Sequence, residues 1–131
     1  MDSETSPNML MAASISGFTA VALGAFGAHG LKNTLSPQMM DVYQTGVLYH
    51  LVHAAVLLTL AALLTQTYQP ALLYAAYCMM AGIILFSGSL YALAITGLSY
   101  LGIITPIGGL TWLAGWILIF VAGWRWPSSP F

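Results

Sequence analysis

The chain has 131 residues, of which 60% are hydrophobic and 4% charged, with a formal net charge of −1 and a mean hydropathy of +0.88. Soluble domains carry about 25% charged residues, so a surface this poor in charge excludes a soluble globular protein. No basic cluster is present that could neutralise phosphates, which excludes nucleic acid as a partner.

Prolines divide the chain into four long apolar stretches. Ser6-Pro7, Ser36-Pro37, Gln69-Pro70 and Thr105-Pro106 each stand just before one of them. Proline suits the first helical position, where its missing N–H would be unpaired anyway, and Ser or Thr ahead of it can cap orphan amides. Pro127 and Pro130 follow the last stretch. The pattern predicts helices over 7–28, 37–66, 70–95 and 106–126, stopped by Gly30 in a left-handed conformation, by Gly97 and by Pro127. Each is long enough to cross a bilayer core, which takes about 20 apolar residues.

The charged residues Asp2, Glu4, Lys32, Asp41 and Arg125 all fall near helix ends or in loops. A soluble four-helix bundle would need charged helix faces, and stretches such as LVHAAVLLTLAALL are apolar all round. The acidic start MDSETSPN does not fit a cleaved signal peptide, which would be basic. The expected fold is therefore an all-α integral membrane bundle of four transmembrane helices in one four-span domain. It has both termini on the same side and sits as a multi-pass protein in the cell inner (plasma) membrane. Lys32 and Arg125 fall on opposite sides, so the positive-inside count ties, with cytoplasmic termini slightly favoured.

With alternating spans, the residues richest in chemistry share one half of the bilayer. The end of helix 1, the start of helix 2 (YQTGVLYHLVH), the end of helix 3 (FSGSLYALAITG) and the start of helix 4 (TPIGGLTW) all lie beneath the 29–36 and 96–105 loops. Small residues let helices approach closely in lipid, where apolar surface alone does not drive association. Ala13, Gly17, Ala20, Gly24 and Ala28 form one such face, and Ala71, Ala75, Cys78 and Gly82 another. Gly27, Gly88, Gly108 and Gly109 complete the expected helix-packing set. Intrachain packing and a homo-oligomer interface both fit these faces. Cys78 is a packing residue, and as the single cysteine it forms no intramolecular disulfide.

His50 and His53 are three residues apart on one face of helix 2, at a depth where ionisable groups are costly and usually face the bundle interior. His29, Gln44, Thr45, Ser87, Ser89, Tyr91 and Thr105 join them as a candidate polar pocket. A proton relay, a metal site, or a haem or quinone contact would be the functional reading. Hydrogen bonding across the bundle is the structural one, and the favoured one. No thiol or buried carboxylate completes a metal set, and no nucleophile–base–carboxylate arrangement can be assembled at depth. Catalytic residues, metal ligands and cofactors are therefore not predicted. Trp124, Arg125 and Trp126 mark one interface with Tyr68, Tyr43 and Tyr100 mark the other, and Trp112 and Trp116 pack on one face of helix 4.

The ordered segments LGAFGAHGLKNTLSP, YQTGVLYHLVHA, LFSGSLYAL and ITPIGG resemble the domain of unknown function 423 family, small bacterial inner-membrane proteins with mitochondrial relatives. The similarity runs from about Ala12 to Trp126. Signature positions are Gly24, Gly27, His29, Gly30, Gln44, Thr45, Gly46, His53, Ser87, Gly88, Ser89, Tyr91, Thr105, Pro106, Gly108 and Gly109. The resemblance implies a four-span membrane protein and brings no activity, substrate or catalytic residue.

Two functions follow as expectations. One is a non-enzymatic structural or accessory subunit that packs in the lipid bilayer against itself, as a homo-oligomer, or against a larger membrane complex. The other is binding or transport of a small molecule, ion or proton through the polar half. In either case GAFGAHGLKNTLSP is expected to close the pocket, with His29 above Gln44 and Thr45 and near the first turn of helix 4.

Overall fold

The computed structural model describes residues 5–128; Asp2, Glu4 and Pro130 lie outside them. Helices α1 (Thr5–His29) and α2 (Pro37–Gln66) are followed by α3 (Pro70–Gly82), a π-helical turn (Ile83–Ser87), α4 (Gly88–Thr96), a 3-10 turn (Ser99–Ile103) and α5 (Ile104–Trp124). The described residues are all-helical and form four spans long and apolar enough to cross a membrane: Thr5–His29, Pro37–Gln66, Pro70–Thr96 and Ser99–Trp124.

The start of α2 follows the local chemistry of its sequence. Ser36 is extended (φ −61°, ψ 157°), its hydroxyl accepts from the Met39 N–H at 3.2 Å, and Pro37 takes the first helical position. Elsewhere the proline signals sit slightly inside the helices. Pro7 and Pro106 are each the third residue of α1 and α5. The first four N–H groups of a helix lack intrahelical partners, so proline is tolerated there as well. Thr105 is consequently a helical residue and no cap.

Two expectations are corrected by the backbone. Gly97, with φ 71°, is the only described residue at positive φ, so Gly30 is not the left-handed stop. The N–H groups of Gly30 and Leu31 instead both bond to Phe26 O, and a methyl on Gly30 would stand 2.6 Å from the Phe26 ring. Gly30 is small because the chain folds back over that ring. The third span is likewise not one uninterrupted α-helix. The Gly88 N–H reaches back five residues to Ile83 O, the wider winding of a π turn.

The helices form an open row. Helix α1 lies along α2; α2 also packs on α3, the π turn and α4; α5 packs on α3 and the π turn. The first and last spans thus flank the other two. Burial agrees: 39% of the most apolar stretch of α2 and 33% of the third span's are buried, against 17% for each flanking span.

The core has two parts. Leu57, Leu60 and Leu64 of α2 meet Met9 and Ala13 of α1, Leu72, Ala75 and Met79 of α3, and Trp112 and Ala122 of α5 in the half nearer the termini. Leu31, Tyr43 and Ala94 form a smaller cluster beneath the 30–36 connection. Phe18, Ile84, Ile103, Ile117 and Phe120 stay exposed, each above 60%, as side chains that face lipid.

Candidate functional site

The site is built around the seam between α2 and the π turn. Gly46 lets that seam close, since a methyl there would lie 2.9 Å from the Tyr91 ring. Its carbonyl accepts a buried hydrogen bond from Ser87 Oγ at 2.7 Å. Ser87 sits in the π turn and is fully buried. On the far side, a methyl on Gly108 would come within 2.3 Å of the Phe86 backbone nitrogen, and one on Gly82 within 2.2 Å of the Trp112 indole. The π turn is thus held between α2 and α5 by glycine on both flanks.

His50 and His53 are 4% and 5% exposed, and the packed π turn sends them to different neighbours. His53 Nδ1 lies 2.8 Å from Tyr49 O. A carbonyl only accepts, so Nδ1 carries the proton and Nε2 is an acceptor. That acceptor receives Trp116 Nε1–H at 3.3 Å. The ring also stacks on Trp112, with centroids 3.7 Å apart and planes 6° from parallel, and Trp112 Nε1 donates to Met79 O at 3.2 Å. Both ring nitrogens of His53 are engaged, Nδ1 within α2, while Nε2 and the ring face hold α5 to α2.

His50 has a short hydrogen bond on one side and a long one on the other. Its Nδ1 lies 2.9 Å from Tyr91 Oη. Its Nε2 is 3.5 Å from Thr19 Oγ1, at the long limit of a hydrogen bond. The Thr19 hydroxyl is already directed at Ile15 O and Ser16 O, at 2.9 and 3.0 Å. Beside this nitrogen lies a groove of about 350 Å³ lined by Ala12, Ile15, Ser16 and Thr19 of α1, Met80 of α3, and Ile83 and Ile84 of the π turn.

The remaining predicted residues separate into further groups. Ser89 Oγ donates to Phe86 O at 2.8 Å and so accepts from Thr105 Oγ1 at 2.6 Å, tying α4 to α5. Gln44, Thr45 and His29 are exposed; Thr45 bonds back to Asp41 O at 2.9 Å, and Gln44 borders a separate groove with Gly24, Gly27 and Ala28. His29 stands at the end of α1, which rests on α2, while α5 rests on α3. The expected single pocket with His29 over the first turn of the last helix is therefore replaced by paired contacts along the seam.

Of the expected packing residues, Gly24, Gly27, Gly82 and Gly108 meet close neighbours, the first two at Val47 and the Tyr43 ring. Gly17 faces open space, Gly88 and Gly109 have nothing nearer than 3.8 Å, and Ala28 is exposed. Tyr43 does not mark an interface. It is 1% exposed, packs 5.2 Å from Tyr91 and donates to Leu23 O. Among the described residues no three His, Cys, Asp or Glu side chains converge to hold a metal.

Ser16 and Thr19 are the members that the sequence reading missed. Both sit in the middle of α1, away from the loop-side half where the polar residues crowd. Their signal was two hydroxyls three residues apart on the face that also carries Ala13 and Ala20, both buried.

The family described as "Protein of unknown function (DUF423)" matches residues 23–109, the stretch from the last two turns of α1 to the second turn of α5. The UPF0382 membrane protein YwdK of Bacillus subtilis is 46% identical over 109 residues, covering 82% of this chain and 89% of that protein. The UPF0382 inner membrane protein YgdD of Escherichia coli K12 is 42% identical over 121 residues, covering 92% of each. A UPF0382 membrane protein of Staphylococcus epidermidis is 41% identical over 103 residues, covering 79% and 84%. No solved structure matches the chain. With the family match taking in His50, His53, the π turn and Gly108, and relatives aligned over most of its length, this chain, an inner-membrane protein with four spans, belongs to the DUF423 family.

Proposed function

We propose that this protein is a non-enzymatic accessory subunit, one that completes its packing against a second copy or within a larger membrane complex. The observation that carries this reading is the open row of helices, whose first and last spans flank the pair between them. Most interior polar side chains are spent on hydrogen bonds between or within helices: His53 with Trp116, Ser87 with Gly46, and Ser89 with Thr105. Interhelical bonds of this kind average about 0.6 kcal/mol, and several along one seam make a rigid unit that presents its flanks.

The small face of α1 supports the same reading. Ala13 and Ala20 are buried, while Gly17 between them has free space where a side chain would stand. A close helix–helix approach from outside fits that gap. Native mass spectrometry in mild detergent, joined to in-membrane crosslinking, tests the proposal. The expected result is a stoichiometric oligomer or a co-purifying membrane protein, lost in Gly17→Leu without a drop in thermal stability. A strict monomer with no partner in both experiments overturns it.

A further inference from the structure

The ends of three spans meet around a cavity on the terminus side. Gly82 of α3 lies against the Trp112 indole of α5, and Gly115 of α5 stands against Ala75 and Cys78 of α3, so these helices run antiparallel and the end of α5 arrives beside the start of α3. There Arg125, just past α5, joins Thr67 and Tyr68 of the connection between α2 and α3, with Pro70, Ala71 and Pro127, around a cavity of about 420 Å³.

The wall of this cavity carries accessible polar groups. Thr65, still inside α2, turns its hydroxyl back to Ala62 O at 2.6 Å, as hydroxyls in membrane helices do. Thr67 and Tyr68 lie past the last helical turn, neither hydroxyl bonds to a described residue, and Tyr68 is 48% exposed. Arg125 is exposed as well. Its backbone is fixed by two bonds of 3.1 Å, from its own N–H to Val121 O and from Trp126 N–H to Gly123 O. Gln69 Nε2 is sealed behind the wall and takes no part.

Charge selects an anion. An arginine guanidinium stays ionised and presents its N–H groups as a planar fork that matches two oxygens of a phosphate. The one carboxylate side chain among the described residues is Asp41, near the opposite end of α2, so no described acid meets Arg125.

Depth and shape select what carries the anion. Gln66 ends α2, Pro70 starts α3 and Trp124 ends α5, so the cavity stands at a membrane boundary. The exposed rings of Tyr68, Trp124 and Trp126 surround it, as aromatic residues do at the level of lipid head groups. Deeper in the same leaflet, Tyr74 lies one turn along α3 on the face of Ala71. It is 59% exposed and stands 6.5 Å from the ring of Tyr77, which gives a hydrocarbon chain an aromatic track leading away from the cavity. A head-group amine would find no described acid to pair with, so an anionic lipid is favoured over a zwitterionic one.

We propose that this cavity binds the phosphate of an anionic phospholipid, the Arg125 guanidinium donating to two of its oxygens, the Thr67 and Tyr68 hydroxyls donating beside it, and an acyl chain descending along Ala71 and Tyr74. The site is complete within a single chain, so its failure would leave the proposed subunit role standing, and the reverse.

The test uses the full-length protein in mild detergent, titrated with phosphatidylglycerol and phosphatidylcholine of identical acyl chains. Lipid retention is read by native mass spectrometry, and melting temperature is measured in parallel. Phosphatidylglycerol is expected to bind about tenfold more tightly, the scale of one hydrogen bond to a charged group. Arg125→Gln should erase that preference without lowering the lipid-free melting temperature. Arg125→Lys, which keeps the charge and loses the fork, should retain part of it. Lys32→Gln removes the same charge at the other membrane face and should retain all of it. Equal retention of the two lipids by the parent, full preference in Arg125→Gln, or an equal loss in Lys32→Gln overturns the proposal. Inorganic phosphate that protects against melting as strongly as phosphatidylglycerol also overturns it, by making the lipid chains irrelevant.

Discussion

The His53 side and the His50 side of α2 use the same side chain in opposite ways. On the α5 side the imidazole is closed: one nitrogen is bound to its own helix, the other to Trp116, and its face to Trp112. On the α1 side it is closed at Tyr91 and open towards Thr19 and the groove. Two histidines one turn apart, equally buried, are therefore not equivalent. What separates them is the π turn packed between them and the neighbour each then meets.

The strongest way to break the contrast is at Gly108. An added methyl would meet the Phe86 backbone, which cannot yield as a side-chain tip would. Gly108→Ala is expected to destabilise by about 3 kcal/mol, the upper range for overpacking, measured by reversible unfolding in mixed micelles. It should lift α5 and remove the Trp116 contact, so tryptophan emission changes with it. Unchanged stability would mean that α5 is not seated on the π turn.

His53→Leu sharpens the comparison directly. It removes the bond from Trp116 and the stack on Trp112 while filling much of the same space, with an expected loss of about 1 to 2 kcal/mol. His50→Leu removes one bond to Tyr91 and should cost about 0.6 kcal/mol. The two variants measured side by side decide the matter: if His50→Leu proves the more destabilising, the division into a clamp and a groove wall is wrong. The smallest effect is expected for Ser16→Ala. It deletes a hydroxyl without a partner and should leave unfolding free energy within about 0.5 kcal/mol of the parent; a larger loss would reveal a hydrogen bond there.

The spans were legible because membrane crossing is a matter of length and apolar composition, and Ser36-Pro37 marks a helix start by its own chemistry. The interior positions of His50, His53, Ser87 and Ser89 followed from the cost of placing polar groups in lipid. What could not be read was pairing. The sequence places Gln44 and Thr45 near His50 along α2, yet helix phase turns them outward, and Thr45 is content with Asp41 O one turn earlier. Thr19 and Ser16 enter the site only because α1 lies alongside α2, a tertiary fact with no local signature. The π turn escaped for the same reason: IILFS is as good an α-helical run as its neighbours, and Gly82 and Gly88 at its borders read simply as small residues.

That turn has a consequence for how this chain can vary. A π turn holds one residue more than an α-helical turn, so it absorbs about 100° of rotation that the same residues would add in a plain α-helix. Before it, Gly82 faces Trp112 of α5; after it, Tyr91 faces His50 of α2. Were Ile83–Ser87 to wind as a plain α-helix without losing a residue, one end of the span would rotate by about that angle against the other. The span would still be hydrophobic and still long enough to cross the bilayer, but only one of its two partners could be met. Hydropathy would tolerate such a rewinding, and the helix row would not, so the winding of the third span is set by the angle between its two partners as much as by membrane thickness.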